Sequence, residues 1–323
     1  MKLRSGRHVT GTPALLVFSH PDFIDLSDAF APCLFVIKLV SRDVAATGKK
    51  TKTAGNDYLL SIPLVEWAMC FGLDPDLAFN MAIRAGNYEI VKFFLGKCNW
   101  LPPTFELSDD MCSDAAGRGH LLVLRCLHDH GCPWAEGTCD AAAFYGHVDC
   151  LKYAHEHGCR WDEDTCRDSA EAGQLACLIY AHEHGCRWDE RTCEGAAKNG
   201  KLVCLKYALH YGCPSDNFTC SSAAMFGHLD CLKLAHHHEC SWDEGTCSAA
   251  AENGHLDCLK FARLAGCAWD EQTCAMAALF GKYDCLKYAH DLGCEWSFLT
   301  CDSAAWGGHL ECLKYAHKHG CPW

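Results

Sequence analysis

A period of 27 residues governs most of this chain. A cysteine, preceded by Thr in every instance but the first, falls at Cys112, Cys139, Cys166, Cys193, Cys220, Cys247, Cys274 and Cys301, each 27 residues after the last. A second series, inside DCLK or a variant of it, runs through Cys150, Cys177, Cys204, Cys231, Cys258, Cys285 and Cys312, and a third runs from Cys132 through Cys159 to Cys321 with the same step. Eight copies without an insertion imply one supersecondary unit stacked on itself, a solenoid in which each unit contacts its neighbours.

Inside a copy the apolar spacing is helical. From Thr138 to Tyr145, Cys139, Ala142 and Ala143 stand at i, i+3 and i+4 and form a face of small side chains, and Gly146 ends the helix. From His147 to His157, Val148, Leu151 and Ala154, with Cys150 beside them, form the stripe of a second helix that Gly158 ends. The connector, CRWDED or CPWAEG, places an acidic residue near the next helix N-terminus, where negative charge suits the helix dipole. Helices this short are unstable alone in water, so stacking must hold them. The expected fold class is all-α, a helix-turn-helix solenoid with little or no β structure.

Half of the 323 residues are hydrophobic and 21% are charged, enough apolar surface for an ordered protein. The longest apolar runs, such as Ala31 to Ile37, fall well short of the roughly 20 residues a membrane-spanning helix needs. The basic start lacks a small-residue cleavage site, so an intracellular protein, cytoplasmic or nuclear, is expected. Residues 1–54 hold eight basic and four acidic residues, and the remaining 20 basic and 37 acidic residues leave residues 55–323 at −17. So acidic an array is a poor ligand for phosphate backbones, and nucleic acid is not an expected partner for it.

The 27 cysteines admit three readings. Equivalent residues of stacked helices lie roughly 8 to 10 Å apart, beyond the roughly 7 Å that a disulfide can bridge between Cα atoms, so no ladder can pair along itself. Pairing between ladders is sterically open, but a reducing compartment disfavours it. For zinc, the tight Cys-x2-Cys spacing is absent, the gaps being six, ten and eight residues. The position of His155 becomes Leu209 and Arg263 in other copies, and that of His157 becomes Tyr211, Ala265 and Leu292, which a repeated metal site would not permit. The favoured reading makes the cysteines interior packing, as befits one of the most buried residue types, and sets histidines such as His182 and His184 on a variable surface. Metal binding or thiol reactivity stays as the alternative. No phosphate-binding loop, dinucleotide fingerprint, HExxH or nucleophile elbow is present, so neither catalysis nor a cofactor is expected.

The stretch AAAFYGHVDCLKYAHEHGC, Ala141 to Cys159, resembles the ankyrin repeat in its Ala-Ala pair, its Gly-His turn and its second helix. FNMAIRAGNYEIVKFFL, Phe79 to Leu95, resembles an ordinary ankyrin unit, and IPLVEWAMCFGLD, Ile62 to Asp74, the second helix of an earlier one. Ankyrin units run to 33 residues, and the six missing here fall where that family carries its β-hairpin finger, so the resemblance implies a fingerless ankyrin-like solenoid over about residues 55–323. In it, irregular copies span 55–98, an insert spans 99–110 with a Pro-Pro pair that marks a restored finger or a kink, and eight regular copies span 108–323. By the same resemblance Cys139 and Cys150 stand where that family buries Leu and Val. The array stops at Trp323 without a polar terminal unit, from which a covered or truncated end is expected.

Copies differ most at the two residues before the first Gly. They are Gly117-Arg118, Phe144-Tyr145, Glu171-Ala172, Lys198-Asn199, Met225-Phe226, Glu252-Asn253, Leu279-Phe280 and Trp306-Gly307. The resemblance implies that these positions line a concave face that contacts a protein partner, with Arg118, Phe144, Tyr145, Glu171, Lys198, Asn199, Met225, Phe226, Glu252, Asn253, Leu279, Phe280 and Trp306 as the binding residues of a monomeric scaffold. The competing reading wedges Phe144, Met225, Leu279 and Trp306 between adjacent units. Residues 1–54 form the other region: Pro21 to Ala45 resembles the second half of an F-box in Leu34, Ile37, Leu39, Val40, Ser41 and Arg42, though the usual Trp is Val44. That resemblance, an arrangement seen in giant viruses and microbial eukaryotes, implies an Skp-type ubiquitin-ligase adaptor as partner. Capping helices are the alternative for the same residues.

Overall fold

Small residues on one face and a glycine at the turn inside each pair produce a stack of helix pairs. The computed structural model describes Ile62, Val65, residues 74–96 and residues 106–322, and the chain divides into two units, Met1–Pro103 and Thr104–Trp323. The F-box-like segment and most of the Ile62 to Asp74 segment and of the 99–110 insert lie outside the described residues. No strand occurs among the described residues.

In the first unit, Pro75–Ala85 and Tyr88–Gly96 form the helix pair expected from the upstream ankyrin resemblance. Asp74 caps the first helix by accepting from the Asp76 amide, and Pro75 occupies the first helical position, where its missing N–H costs nothing. Gly86, at φ 71°, turns the chain, and the Phe79 and Phe94 rings then meet edge to face at 5.5 Å.

The second unit is a helical-repeat solenoid of eight helix pairs, numbered as copies 1 to 8 from Ser108. Its first helices are Asp109–Gly117, Thr138–Phe144, Glu163–Ala172, Glu190–Lys198, Asn217–Met225, Glu244–Asn253, Glu271–Leu279 and Phe298–Trp306. Its second helices are Leu121–Asp129, Val148–Glu156, Leu175–Glu183, Leu202–His210, Leu229–His237, Leu256–Leu264, Tyr283–Asp291 and Leu310–Lys318. First helices pack on first helices along the stack more closely than second helices do on second helices. Side-chain size explains the difference, because the first helices meet through Cys and Ala, whereas the second helices carry Leu and Tyr.

The turn inside each helix pair needs its glycine. Gly227 sits at φ 76°, which costs an L-residue, and a Cβ there would come within 2.5 Å of the His255 ring reaching over from the next copy. The acidic residue of the connector acts as an N-cap: Asp162, Asp189, Asp216 and Asp270 each accept from the amide two residues on. All 24 described cysteines are free and buried. The second-helix stripe is Cys150, Leu151 and Ala154 with Tyr153 added, and Val148 is only half-buried.

Candidate partner-binding face

The variable pair ends the first helix of each copy, where the backbone leaves the packed row and side chains swing outward. Arg118, Phe144, Tyr145, Lys198, Asn199, Met225, Phe226, Asn253, Phe280 and Trp306 are exposed, and Glu171, Glu252 and Leu279 are half-buried. Tyr145 is 61% exposed, Phe226 and Phe280 are 45% each, and Trp306 is 85%. Trp306 belongs to the last described copy, and Leu279, its counterpart one copy earlier, is half-buried. The wedge reading therefore describes Leu279 better than Phe144 or Met225.

Neighbouring copies touch along this column. The Phe144 and Tyr145 rings meet edge to face at 5.2 Å, and Tyr145 leans on Gly117, where a Cβ would stand 3.4 Å from its ring. Lys198 Nζ lies 5.9 Å from the centre of the Phe226 ring in the next copy, a cation–π arrangement. Asn199 and Asn253 donate to the carbonyls of Gly195 and Ala249, four residues back in their own helices, and Arg118 pairs at 4.0 Å with Asp114. The result is an outward row in which apolar rings alternate with Lys198, Glu171 and Glu252.

The histidines require a correction. His182 is half-buried, its ring stacked on Trp188 at 3.9 Å and 13°, with Nδ1 2.9 Å from the Tyr207 hydroxyl of the next copy. The same stack joins His128 to Trp134, His155 to Trp161, His236 to Trp242 and His290 to Trp296. Arg263 holds the position in copy 6 and lies 4.4 Å over Trp269. His and Arg interchange because both are flat and stack on indole. Burial first, and then the neighbouring imidazoles of His157, His184 and His319, lower the pKa of His128, His155 and His290, so these rings are neutral at neutral pH. His184 is exposed, as expected, and its Nδ1–H donates to the Tyr180 carbonyl at 2.8 Å.

One signal in the sequence pointed to this seam. Copy 4 carries Leu209 for His and Ser215 for Trp, and copy 5 has Leu234 where the others have an aromatic ring, or Cys126 in copy 1. Three positions that change together across one junction mark side chains in contact.

Among the described residues no group of three or more Cys, His, Asp or Glu side chains converges as a metal site would require, and no helix is long and apolar enough to cross a membrane. Two shallow depressions mark the described surface, one between Tyr283, Lys287, Asp291 and the last helix, another between Arg125, Asp129, Lys152 and Glu156.

No protein-family model and no curated protein matches the chain. Among solved structures, the chain is similar to the human ASB11 ankyrin repeat domain, at 19% identity over 49% of this chain and 84% of that one, with a TM-score of 0.42.

Proposed function

We propose that this chain is a non-enzymatic scaffold that binds a protein partner through the column from Arg118 to Trp306, the concave face by resemblance to ankyrin repeats. The observation that carries the reading is the exposure of Phe144, Tyr145, Met225, Phe226 and Phe280 on a stack whose interior hardly changes between copies. Exposed aromatics in a row are the usual anchors of an interface. With −17 on residues 55–323, the partner would bring apolar anchors inside a basic rim.

The combined variant Phe144→Ala, Phe226→Ala and Phe280→Ala separates binding from packing. Expected are an unchanged helical circular-dichroism spectrum and melting temperature, with loss of the proteins that crosslink to the wild-type chain in its native host. An unchanged set of crosslinked proteins, or a large fall in melting temperature with binding intact, would overturn the reading.

Leu34 to Arg42 support a finer version, in which the scaffold recruits substrates to a ubiquitin ligase. Residues 1–54 should then copurify an Skp-type adaptor, and Ile37→Asp should abolish the capture. Failure of the wild-type segment to retain that adaptor would remove this version and leave the scaffold untouched.

A further inference from the structure

At three junctions the histidine stack has a second member. The His157 ring of copy 2 lies 5.4 Å from His128, that of His184 in copy 3 lies 6.1 Å from His155, and that of His319 in copy 8 lies 5.5 Å from His290, centre to centre. In each pair the inner ring is half-buried and stacked on its indole. The outer ring is exposed and tilted over a tyrosine of its own copy, at 4.0 Å for Tyr153 and Tyr180 and 4.4 Å for Tyr315.

No other junction of the eight copies holds two imidazoles. Tyr211 takes the outer position against His182, Ala265 against His236 and Leu292 against Arg263, and the junction between copies 4 and 5 has Leu209 in the inner position. Copy 6 shows what the pairing adds. Arg263 is a permanent cation, and it lies 4.4 Å over Trp269 with the uncharged Leu292 opposite. A charge in the inner position is therefore compatible with the indole, whose face attracts it. What sets the paired junctions apart is a second group, 5.4 to 6.1 Å away, that charges in the same pH range.

We propose that the pairs His128–His157, His155–His184 and His290–His319 form an acid-sensitive clasp: when both rings of a pair are protonated they repel, and the junctions between copies 1 and 2, 2 and 3, and 7 and 8 loosen while those from copy 3 to copy 7 hold. Copy 2 carries Phe144 and Tyr145, and copies 7 and 8 carry Phe280 and Trp306, so the ends of the proposed binding column loosen in acid and its middle stays. That consequence rests on the binding reading; the loosening itself does not.

The surrounding charges do not cancel the repulsion. Arg125 and Asp129 on one helix, with Asp149, Lys152 and Glu156 on the next, line the depression beside the first pair; Lys287 and Asp291, with Glu311, Lys314 and Lys318, line the one beside the third. The second pair has Lys152 and Glu156 on one side and Glu183 next to His184 on the other, and the connectors that carry the three indoles hold Glu136, Arg160, Asp162 and Glu295. Asp129, Glu156 and Asp291 favour a charged inner ring, but burial, and then the outer imidazole, outweigh them and hold His128, His155 and His290 below the ordinary imidazole value. As pH falls below about 6.5 the unfolded chain takes up protons that the inner rings resist, so their contribution to stability is full above that value and is lost progressively below it.

The test compares the full chain with the triple variant His157→Tyr, His184→Tyr and His319→Tyr, which gives each junction the ring that copy 4 already carries at Tyr211, 5.5 Å from His182. Between about pH 7.5 and about pH 5.5 the urea midpoint of the wild type should fall by clearly more than that of the variant. By NMR, the inner rings His128, His155 and His290 should titrate at higher pH in the variant than in the wild type. Titrations common to both proteins cancel in the comparison. Hydrogen exchange of the wild type, corrected for the intrinsic effect of pH, should speed at about pH 5.5 in the helices Val148–Glu156 and Tyr283–Asp291 and not in Leu229–His237 or Leu256–Leu264. Parallel midpoint curves, unmoved titration midpoints, or faster exchange spread evenly along the array would each overturn the proposal. The wild-type exchange map decides even where the variant fails to fold.

Discussion

Glu239 stands where the other seven copies have Gly, at the end of the second helix of copy 5, and its φ is 60°. A left-handed backbone costs an L-residue about 1 to 2 kcal/mol, because Cβ crowds the following carbonyl. Glu239→Gly should therefore stabilise the array by about 1 kcal/mol, part of the strain relief being offset by the freedom glycine gains when unfolded. The urea midpoint reads this directly, and a variant no more stable than wild type would refute the strain. Asp140 shows the opposite kind of residue effect. Burial, and then the nearby carboxylates of Asp162, Asp168 and Asp164, push its pKa up to about 6 against the pull of the Thr165 hydroxyl. Between about pH 4 and pH 6 the folded protein holds a proton that the unfolded chain has released, so this group's contribution falls as pH rises through that window and is fully lost above it. Asp140→Asn keeps an acceptor for Thr165 and removes the charge. Relative to wild type it should stabilise the fold more at about pH 7.5 than at about pH 4.5. A pH-independent difference between the two proteins would show that the folded carboxyl titrates normally.

At the scale of the helix, the period, the two helices and their glycine turns were legible because each rests on a local signal. The small-residue face at Cys139, Ala142 and Ala143 is one, and the positive φ demanded of Gly146 is another. What was not legible needed the third dimension. His182 read as a surface residue because its position changes between copies, to Leu209 and Arg263, yet its ring lies on Trp188 six residues ahead and meets a tyrosine from the next copy. The third cysteine ladder read as filler, but its thiols tie the end of one helix to the start of another, as Cys186 does by donating to the Asp162 carbonyl at 3.0 Å. The acidic connector residue was read as a dipole partner and acts as a hydrogen-bonding cap, which makes its energetics specific. Asp189→Ala should cost about 1 kcal/mol. Asp243, whose side chain makes no capping bond and accepts from Asn217 instead, should cost less on the same replacement. Equal losses in paired chemical denaturations would mean that charge near the helix end, rather than the capping bond, carries the effect.

Across the whole array, stability is the sum of what each copy contributes and what each junction adds, so one weak junction matters more than it would in a globule. The junction between copies 4 and 5 lacks the aromatic stack and is where such weakness is expected. At the other junctions a flat group stacked on an indole bridges the copies, Arg263 in copy 6 and a histidine elsewhere, as His290 and Trp296 do with Tyr315, whose centre is 5.7 Å from the histidine and 6.2 Å from the indole. At Leu209, Ser215 and Leu234 no ring is present to form it. Aromatic pairs contribute about 0.5 to 1.5 kcal/mol beyond their buried area. The triple replacement Leu209→His, Ser215→Trp and Leu234→Tyr should thus raise stability by about 1 to 3 kcal/mol. It should also slow hydrogen exchange in the helices Leu202–His210 and Leu229–His237, the elements that carry the stack. The gain must be cooperative, because Ser215→Trp alone supplies an indole with no imidazole to lie on it, and Leu234→Tyr alone supplies a hydroxyl with no imidazole to bond. The three single variants should therefore sum to clearly less than the triple. Additive effects would mean that the rings stabilise by covering surface rather than by stacking across the junction, and the co-change of the three positions would need another cause.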